Sequence, residues 1–254
     1  MVVPEGLPSV GQTGCMRITE VSSQVFAVTG TAVNWTILKD GDDLTLVDAG
    51  YPGDLADVLA SLAEVGGTPR AVLVTHAHID HIGTLPDLLR RYDIPVYTSA
   101  REAAHARRDF LEQAGPADVV RIAWNPCSWR WIGHLLAAGA LHDRPVPSAT
   151  AFPEPLTVPG APVPVPTPGH TSGHTAYLVP AAKALITGDA LVTGHPLSRV
   201  VGPQRIAPFF HHDIADAEQA LDILAAVEAR VILPGHGPVH HGSARAAVAA
   251  ARAR

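Results

Sequence analysis

From Ala71 to His81 the chain reads Ala-Val-Leu-Val-Thr-His-Ala-His-Ile-Asp-His, so four residues able to bind a metal or carry a proton directly follow a short apolar run. In extended backbone alternate side chains share a face, so His76, His78 and Asp80 can converge. His81 leaves at the start of a following helix and points elsewhere, which allows two divergent sets of ligands. Three later segments repeat the device. Val163 to Val165 leads to Gly169-His170, Ala184 to Thr187 leads to Gly188-Asp189, and Val231 to Leu233 leads to Gly235-His236. Each ligand-type residue follows a glycine that lets the backbone approach closely. Any one of them alone reads as an ordinary loop histidine or capping aspartate. Together, the imidazoles of His76, His78, His81, His170 and His236 and the carboxylates of Asp80 and Asp189 form a nitrogen and oxygen set that suits zinc. Imidazole also suits iron and other first-row metals. The set exceeds what one tetrahedral ion takes and fits two ions sharing a bridging carboxylate.

The elements that must position these residues are legible in outline. Short apolar bursts at Val25 to Val28, Trp35 to Leu38 and Leu44 to Val47, with the turn Lys39-Asp-Gly-Asp42 between the last two, predict an antiparallel opening. From Asp54, apolar residues at Leu55, Val58, Leu59 and Leu62 follow helical spacing until Gly66-Gly67 ends the pattern. A buried strand over Ala71 to Thr75, a helix just after His81 and a short strand from Pro95 to Thr98 come next. Residues 101 to about 141 read as mostly helical. Strands resume at 163–165, 175–179, 184–187 and 231–233, with helices at about 214–229 and 243–253. The expected organisation is a loose leader over residues 1–14 and one domain over 15–254 with a helical insertion at 101–150.

Composition narrows the function classes. The 254 residues, 47% of them hydrophobic, suffice for a large core. With 18 basic against 24 acidic residues there is no basic footprint for nucleic acid. The longest stretch free of Asp, Glu, Lys and Arg, Pro155 to Ala182, is broken by prolines and reads as no membrane helix. Two remote cysteines, Cys15 and Cys127, read as reduced thiols in a cytoplasmic protein. No Gly-x-Ser-x-Gly elbow, Walker loop or Gly-x-Gly-x-x-Gly fingerprint offers a rival chemistry.

The run His76 to His81, followed in order by His170, Asp189 and His236 and preceded by Asp48 in Leu-Val-Asp-Ala-Gly, resembles the metallo-β-lactamase superfamily over about Thr36 to Gly237. The resemblance implies an α/β fold, a four-layer αββα sandwich, with metals between loops at one edge of the two sheets. It implies that His76, His78 and His170 hold one metal, that Asp80, His81 and His236 hold the other, and that Asp189 bridges. The expected cofactor is two divalent ions per chain, zinc first, with iron or manganese as the other candidates. The implied reaction is hydrolysis through a hydroxide shared by the ions, with Asp80 orienting it and shuttling its proton. Asp48 and His174 are expected to support the ligands from outside the coordination sphere.

Within the superfamily, Asp189 argues against antibiotic hydrolysis, since the true β-lactamases lack the bridging aspartate. The set is similar to that of hydroxyacylglutathione hydrolases and acyl-homoserine lactonases, which implies an ester, thioester or lactone as substrate. The lactonases place a tyrosine three residues after the bridge, where this chain has Val192. An iron-dependent oxidoreductase of the persulfide dioxygenase kind and a non-catalytic metal-binding sensor are the alternatives. Trp124, Trp129 and Trp131 crowd the insertion and suit a lid over a small hydrophobic substrate, with His195 lining the pocket, or a homodimer contact.

Overall fold

The computed structural model describes residues 16–113 and 129–254. The expected leader 1–14, both cysteines and Trp124 lie outside the described residues. Seven strands form the first sheet in sequential order: β1 (Arg17–Ser22), β2 (Val25–Thr29), β3 (Asn34–Asp40), β4 (Asp43–Val47), β5 (Thr68–Leu73), β6 (Val96–Thr98) and β7 (Ala149–Ala151). Tight turns make β1 to β4 antiparallel, whereas helical crossovers make β4 to β7 parallel. The second sheet has the order β12-β11-β10-β9-β8, from β8 (Val163–Pro166), β9 (Thr175–Val179), β10 (Ala184–Gly188), β11 (Val231–Pro234) and β12 (His240–His241).

Helices cover the outer faces. On the first sheet lie α1 (Leu55–Val65), α3 (Leu85–Arg91) and α4 (Ala100–Arg107), which bury Val58, Leu62, Leu85, Leu88, Ala103 and Ala106 in one core with Val72 and Val96. On the second lie α6 (Ile214–Ala226) and α7 (Ala244–Arg252), which bury Leu221, Leu224, Ala247 and Val248. A third core fills the space between the sheets, where Val25, Leu38, Val47 and Leu73 meet Tyr177, Val179, Ile186 and Leu233. The layers are therefore αββα. One turn, α2 (Ile79–Ile82), and α5 (Trp129–Ala137) complete the α-helices among the described residues.

Polar ties fix the two sheets at the edge where the motifs lie. Thr175 N donates to Thr75 O at 2.9 Å, Tyr177 Oη to Val74 O at 2.7 Å, and Asn34 Nδ2 to Gly237 O at 2.7 Å. These bonds span the sheets and join strand ends far apart in sequence, so the motif loops are set by the rigid part of the fold.

The segment expected as a helical insertion is divided. Its first helix, α4, is part of the core. Arg108, with φ of 68°, ends that helix in the left-handed conformation, and its N–H bonds back to His105 O at 2.9 Å. At the other end Ala149–Ala151 is a strand, paired in parallel with β6. The pattern for β7 was hidden because a three-residue edge strand carries almost no periodicity. The paired histidines 240 and 241 form the edge strand β12, with His240 half-buried and His241 exposed.

Candidate metal centre

β4 ends at Val47, and Asp48 turns the chain with φ of 62°, a left-handed conformation aspartate tolerates better than most residues. Its amide donates to Leu73 O at 2.9 Å. Its carboxylate accepts from Thr75 N at 2.8 Å, Thr75 Oγ1 at 2.7 Å and His81 Nδ1 at 2.8 Å. A strained residue thus ties the ends of β4 and β5 to the motif.

The hydrogen bonds decide which nitrogen each imidazole presents. Thr75 Oγ1 donates its hydrogen to the Asp48 carboxylate, so at 3.0 Å from His76 Nδ1 it accepts, and His76 Nε2 is left bare. His81 Nδ1 donates to Asp48, leaving Nε2 without its proton in the neutral ring. His236 Nδ1 donates to Ala32 O at 2.7 Å, leaving Nε2 without its proton in the neutral ring. His78 Nε2 donates to Glu112 O at 2.6 Å, leaving Nδ1. Four rings, held from behind by fixed partners, aim inward the nitrogen that is bare once the ring is neutral, the arrangement found behind metal-bound histidines.

Those nitrogens gather into two groups linked by a third, His76, His81 and Asp189, whose ligand atoms also lie within 4.8 Å of one another. His76, His78 and His170 place ligand atoms within 4.8 Å of one another, as do Asp80, His81 and His236. His78 Nδ1 and His170 Nε2 stand 3.1 Å apart. Asp189 lies between the groups. Its Oδ2 is 3.2 Å from His236 Nε2, 3.5 Å from His170 Nε2 and 3.9 Å from His76 Nε2, and its Oδ1 is 3.6 Å from His81 Nε2. Asp80 Oδ2 reaches His236 Nε2 at 3.3 Å. His76 Nε2, His81 Nε2 and Asp189 Oδ1 are buried with no hydrogen-bond partner, a costly state for polar atoms unless a cation takes them. The donor set fits divalent metal.

Charge separates the two groups. Burial pushes the His76 and His170 imidazoles well below their ordinary range, aided by their imidazole neighbours. Burial also opposes the charged form of His81, but the carboxylates of Asp80, Asp48 and Asp189 outweigh it and hold that ring at about 9. The same balance holds His236 high, through Asp189 and Asp80. Against burial, His81 and His236 hold Asp80 at about 2.

All three glycines before the candidate ligands are sterically required: at Gly188, where φ is 48°, a Cβ would lie 2.6 Å from His174 Nε2 and 2.8 Å from Thr75 Oγ1. A Cβ at Gly169, where φ is 130°, would lie 2.1 Å from Ala217 N in α6. A Cβ at Gly235 would stand 2.3 Å from Asp189 Oδ1 and 2.8 Å from His81 Cε1. Gly235→Ala is therefore expected to weaken metal binding by about tenfold or more with the far-ultraviolet circular dichroism unchanged. A cobalt titration that matches the wild type would contradict it.

The remaining expected residues divide. His174 sits behind Asp189: its Nδ1 is 2.8 Å from Thr167 Oγ1, and its Nε2 accepts from Asp189 N at 3.2 Å. His195 packs beside His236, ring centroids 5.4 Å apart. Trp131 reaches His195 at 6.2 Å and Phe210 at 6.1 Å, whereas Trp129 lies on the outer face of α5, 63% exposed. Sequence reasoning missed Tyr51, a buried phenol facing Asp80; burial and the charge of Asp80 hold it well above its ordinary range. It also missed Phe210 and the buried pair Glu102 and His105. A Glu and a His on the same helix face as Ala103 and Ala106 were the available signal for that pair.

Together, the αββα layers hold a His/Asp cluster fit for divalent metal at the edge between the sheets. The Metallo-beta-lactamase superfamily model matches residues 28–236, and the chain belongs to that superfamily. It is 27% identical over 216 residues to the probable metallo-hydrolase YybB of Bacillus subtilis (strain 168), covering 81% of this chain and 80% of that one. A hydroxyacylglutathione hydrolase of Hahella chejuensis (strain KCTC 2396) is 39% identical over 85 residues, 34% of this chain and 32% of that protein. Among solved structures, the metallo-beta-lactamase family protein TTHA1429 from Thermus thermophilus superposes with a TM-score of 0.58 at 24% identity, covering 86% of this chain and 72% of that one. TTHA1623, solved in a di-iron-bound form, superposes with a TM-score of 0.56 at 24% identity, covering 82% of this chain and 89% of that one. Among the described residues, no helix is long and apolar enough to cross a membrane.

Proposed function

We propose that the chain is a binuclear metal-dependent hydrolase that cleaves an ester, thioester or lactone bond of a small hydrophobic substrate. The observation that carries this reading is Asp189, one carboxylate within 3.2–3.9 Å of imidazoles from both triads. His76, His78 and His170 would hold one ion, Asp80, His81 and His236 the other, and Asp189 would contact both. Bound there, two divalent ions, zinc first and iron or manganese next, supply Lewis acidity to a carbonyl and acidify water. The protein's own groups do the rest. Asp80, kept ionised, orients the attacking water and accepts its proton. Tyr51, kept neutral, is a donor beside Asp80. Asp48 and His174 hold His81 and Asp189 in place. The partial match to hydroxyacylglutathione hydrolases supports the acyl-transfer class.

The apolar side of the substrate is assigned to a wall of rings beside His236. His195 and Phe210 lie 5.3 Å apart, Trp131 closes on both, and Phe209 packs tilted against Phe210 at 4.2 Å while remaining 43% exposed. Such rings give a large contact area to an acyl chain or aromatic group. Trp131→Ala and Phe210→Ala are expected to raise KM for hexanoyl or phenylacetyl esters by about tenfold, the worth of one lost apolar contact, with acetyl esters within about twofold. Equal effects on both substrate sets would remove the wall from recognition.

The overall reading is tested by elemental analysis of protein purified without added metal, with thioesters, lactones and aryl esters assayed on the same sample. Two zinc per chain and turnover lost on chelation support it. One iron with oxygen uptake and no hydrolysis would overturn it in favour of a redox enzyme, and two metals with no turnover on any panel member would favour a sensor.

A further inference from the structure

We propose that the buried pair Glu102 and His105 is a positioning device for the His76, His78 and His170 triad, fixing the tautomer of His78 through the backbone of Glu112. The proposal rests on the binuclear reading above and adds a part to it that lies behind the ligands.

Both side chains point into the protein from α4, Glu102 being 1% and His105 0% exposed. A buried carboxylate is stabilised only if its oxygens are occupied. Glu102 Oε1 accepts from Ala77 N at 2.6 Å and from His105 Nδ1 at 2.7 Å, and Oε2 accepts from Thr171 Oγ1 at 2.6 Å. Ala77 stands between His76 and His78, and Thr171 follows His170. One carboxylate therefore clamps the two loops that supply the triad, one from each sheet. The approach is close enough that a Cβ on Gly173 would lie 2.8 Å from Glu102 Oε2.

The proton on His105 Nδ1 is committed to Glu102, so Nε2 carries the lone pair and can only accept. It accepts from Glu112 N at 3.1 Å, and Glu112 O accepts from His78 Nε2 at 2.6 Å. The ring of His105 is itself held by stacking on Phe110 at 5.4 Å. The Glu112 carboxylate returns to the second loop, accepting from Ser172 N at 2.7 Å and Ser172 Oγ at 2.8 Å. Each step fixes the next: the Glu102 charge sets the His105 tautomer, that lone pair seats the Glu112 backbone, and the Glu112 carbonyl accepts the hydrogen bond from His78 Nε2–H. His78 is left with Nδ1 bare toward His170. The supports of the other triad, Asp48 behind His81 and Ala32 O behind His236, are separate from this chain of bonds.

Two variants test the device. In His105→Asn the amide nitrogen keeps a donor for Glu102, so the carboxylate stays satisfied, but the side chain ends short of Glu112 N–H. In His105→Gln the amide oxygen reaches toward Glu112 and serves as the conservative rescue. Long-range 1H–15N correlation spectra of the metal-free protein report the His78 tautomer, and stepwise cobalt titration reports each triad. The wild type should show a single Nε2–H tautomer at His78 and two equivalents of cobalt. His105→Asn should show mixed tautomers and weaken the His76/His78/His170 equivalent by about tenfold or more, leaving the other equivalent unchanged, with His105→Gln between them. Unchanged tautomer and affinity in both variants would overturn the proposal, as would equal weakening of both equivalents. Fewer than two equivalents in the wild type would overturn the binuclear reading instead, and the tautomer comparison would still judge the pair.

Discussion

Asp189→Ala is expected to lower kcat/KM by about three orders of magnitude or more and to reduce the bound metal. No other side chain among the described residues stands between the triads in the same way. The carboxylate meets His236, His170 and His76 through one oxygen and His81 through the other. It is 3% exposed, so water does not replace it when it is cut back to a methyl group. Its loss also leaves His81 and His236, the two rings held protonated by carboxylates in the metal-free protein, with less counter-charge. Removing one partner from buried ionic contacts is destabilising by about 3–5 kcal/mol. Asp189→Asn keeps the shape and one oxygen acceptor while losing the charge, so it should retain more metal than the alanine variant. The checks are steady-state kinetics and elemental analysis on protein whose circular dichroism matches the wild type. Turnover within tenfold of wild type in Asp189→Ala, with two metals bound, would remove the bridging role.

The clustering of the candidate ligands was legible because their placement obeys local rules. His76, His78, Asp80 and His81 are neighbours in sequence, and extended-then-helical backbone over six residues is enough to send them two ways. His170, Asp189 and His236 were found by a repeated pattern, an apolar run ending in glycine and a ligand-type residue, which is what a strand leading into a tight turn looks like. The glycine's meaning needed coordinates: only there does a Cβ at Gly235 run into Asp189. The sheets were legible at short apolar runs such as those of β2 to β5, and illegible at β1, whose residues Arg17–Ser22 bury no full face, and at β7 and β12, which are three and two residues long and are defined by their partners.

What the sequence hid were contacts made across long separations. Tyr51 follows Asp-Ala-Gly in a plain loop, and nothing local says that it faces Asp80. Phe210 meets Trp131 across 79 positions, and both meet His195, so the aromatic wall is a product of packing with no motif. Glu102 and His105 sat in a segment expected to be a lid. Their helix is amphipathic only if the two polar residues are counted on the buried face, and sequence patterning assigns them to the exposed one. Glu102 bonds across to Thr171, 69 positions on, where sheet pairing has brought the second ligand loop. Polar residues buried by tertiary pairing in this way are the ones local patterns assign to the wrong side.

In the metal-free protein stability is expected to peak near pH 6.5 and to fall on both sides, and metal loading is expected to abolish the alkaline fall. On the acid side, burial holds His174 and His195 at about 4, against an ordinary value of 6.5. Between those values the unfolded chain takes up protons that the folded chain refuses, so stability falls as pH drops from 6.5 towards 4. His76 and His170 act in the same direction. Asp80, held at about 2 against an ordinary 3.8, extends the loss below pH 4. On the alkaline side the folded chain keeps His81 protonated up to about 9, while the unfolded chain gives that proton up around 6.5. The stabilisation from that charge is complete below 6.5 and disappears as pH rises to 9. His236 adds to it. Ligation needs neutral imidazole, so binding at neutral pH must expel the protons on His81 and His236. Urea midpoints at pH 5, 6.5 and 8.5, with and without metal, check the first part. Calorimetry in buffers of different ionisation enthalpy checks the second, with about two protons released per chain expected at pH 7 from these two rings. An alkaline fall that persists in the loaded protein, or binding without proton release, would mean that the carboxylates around His81 and His236 do not hold those rings charged.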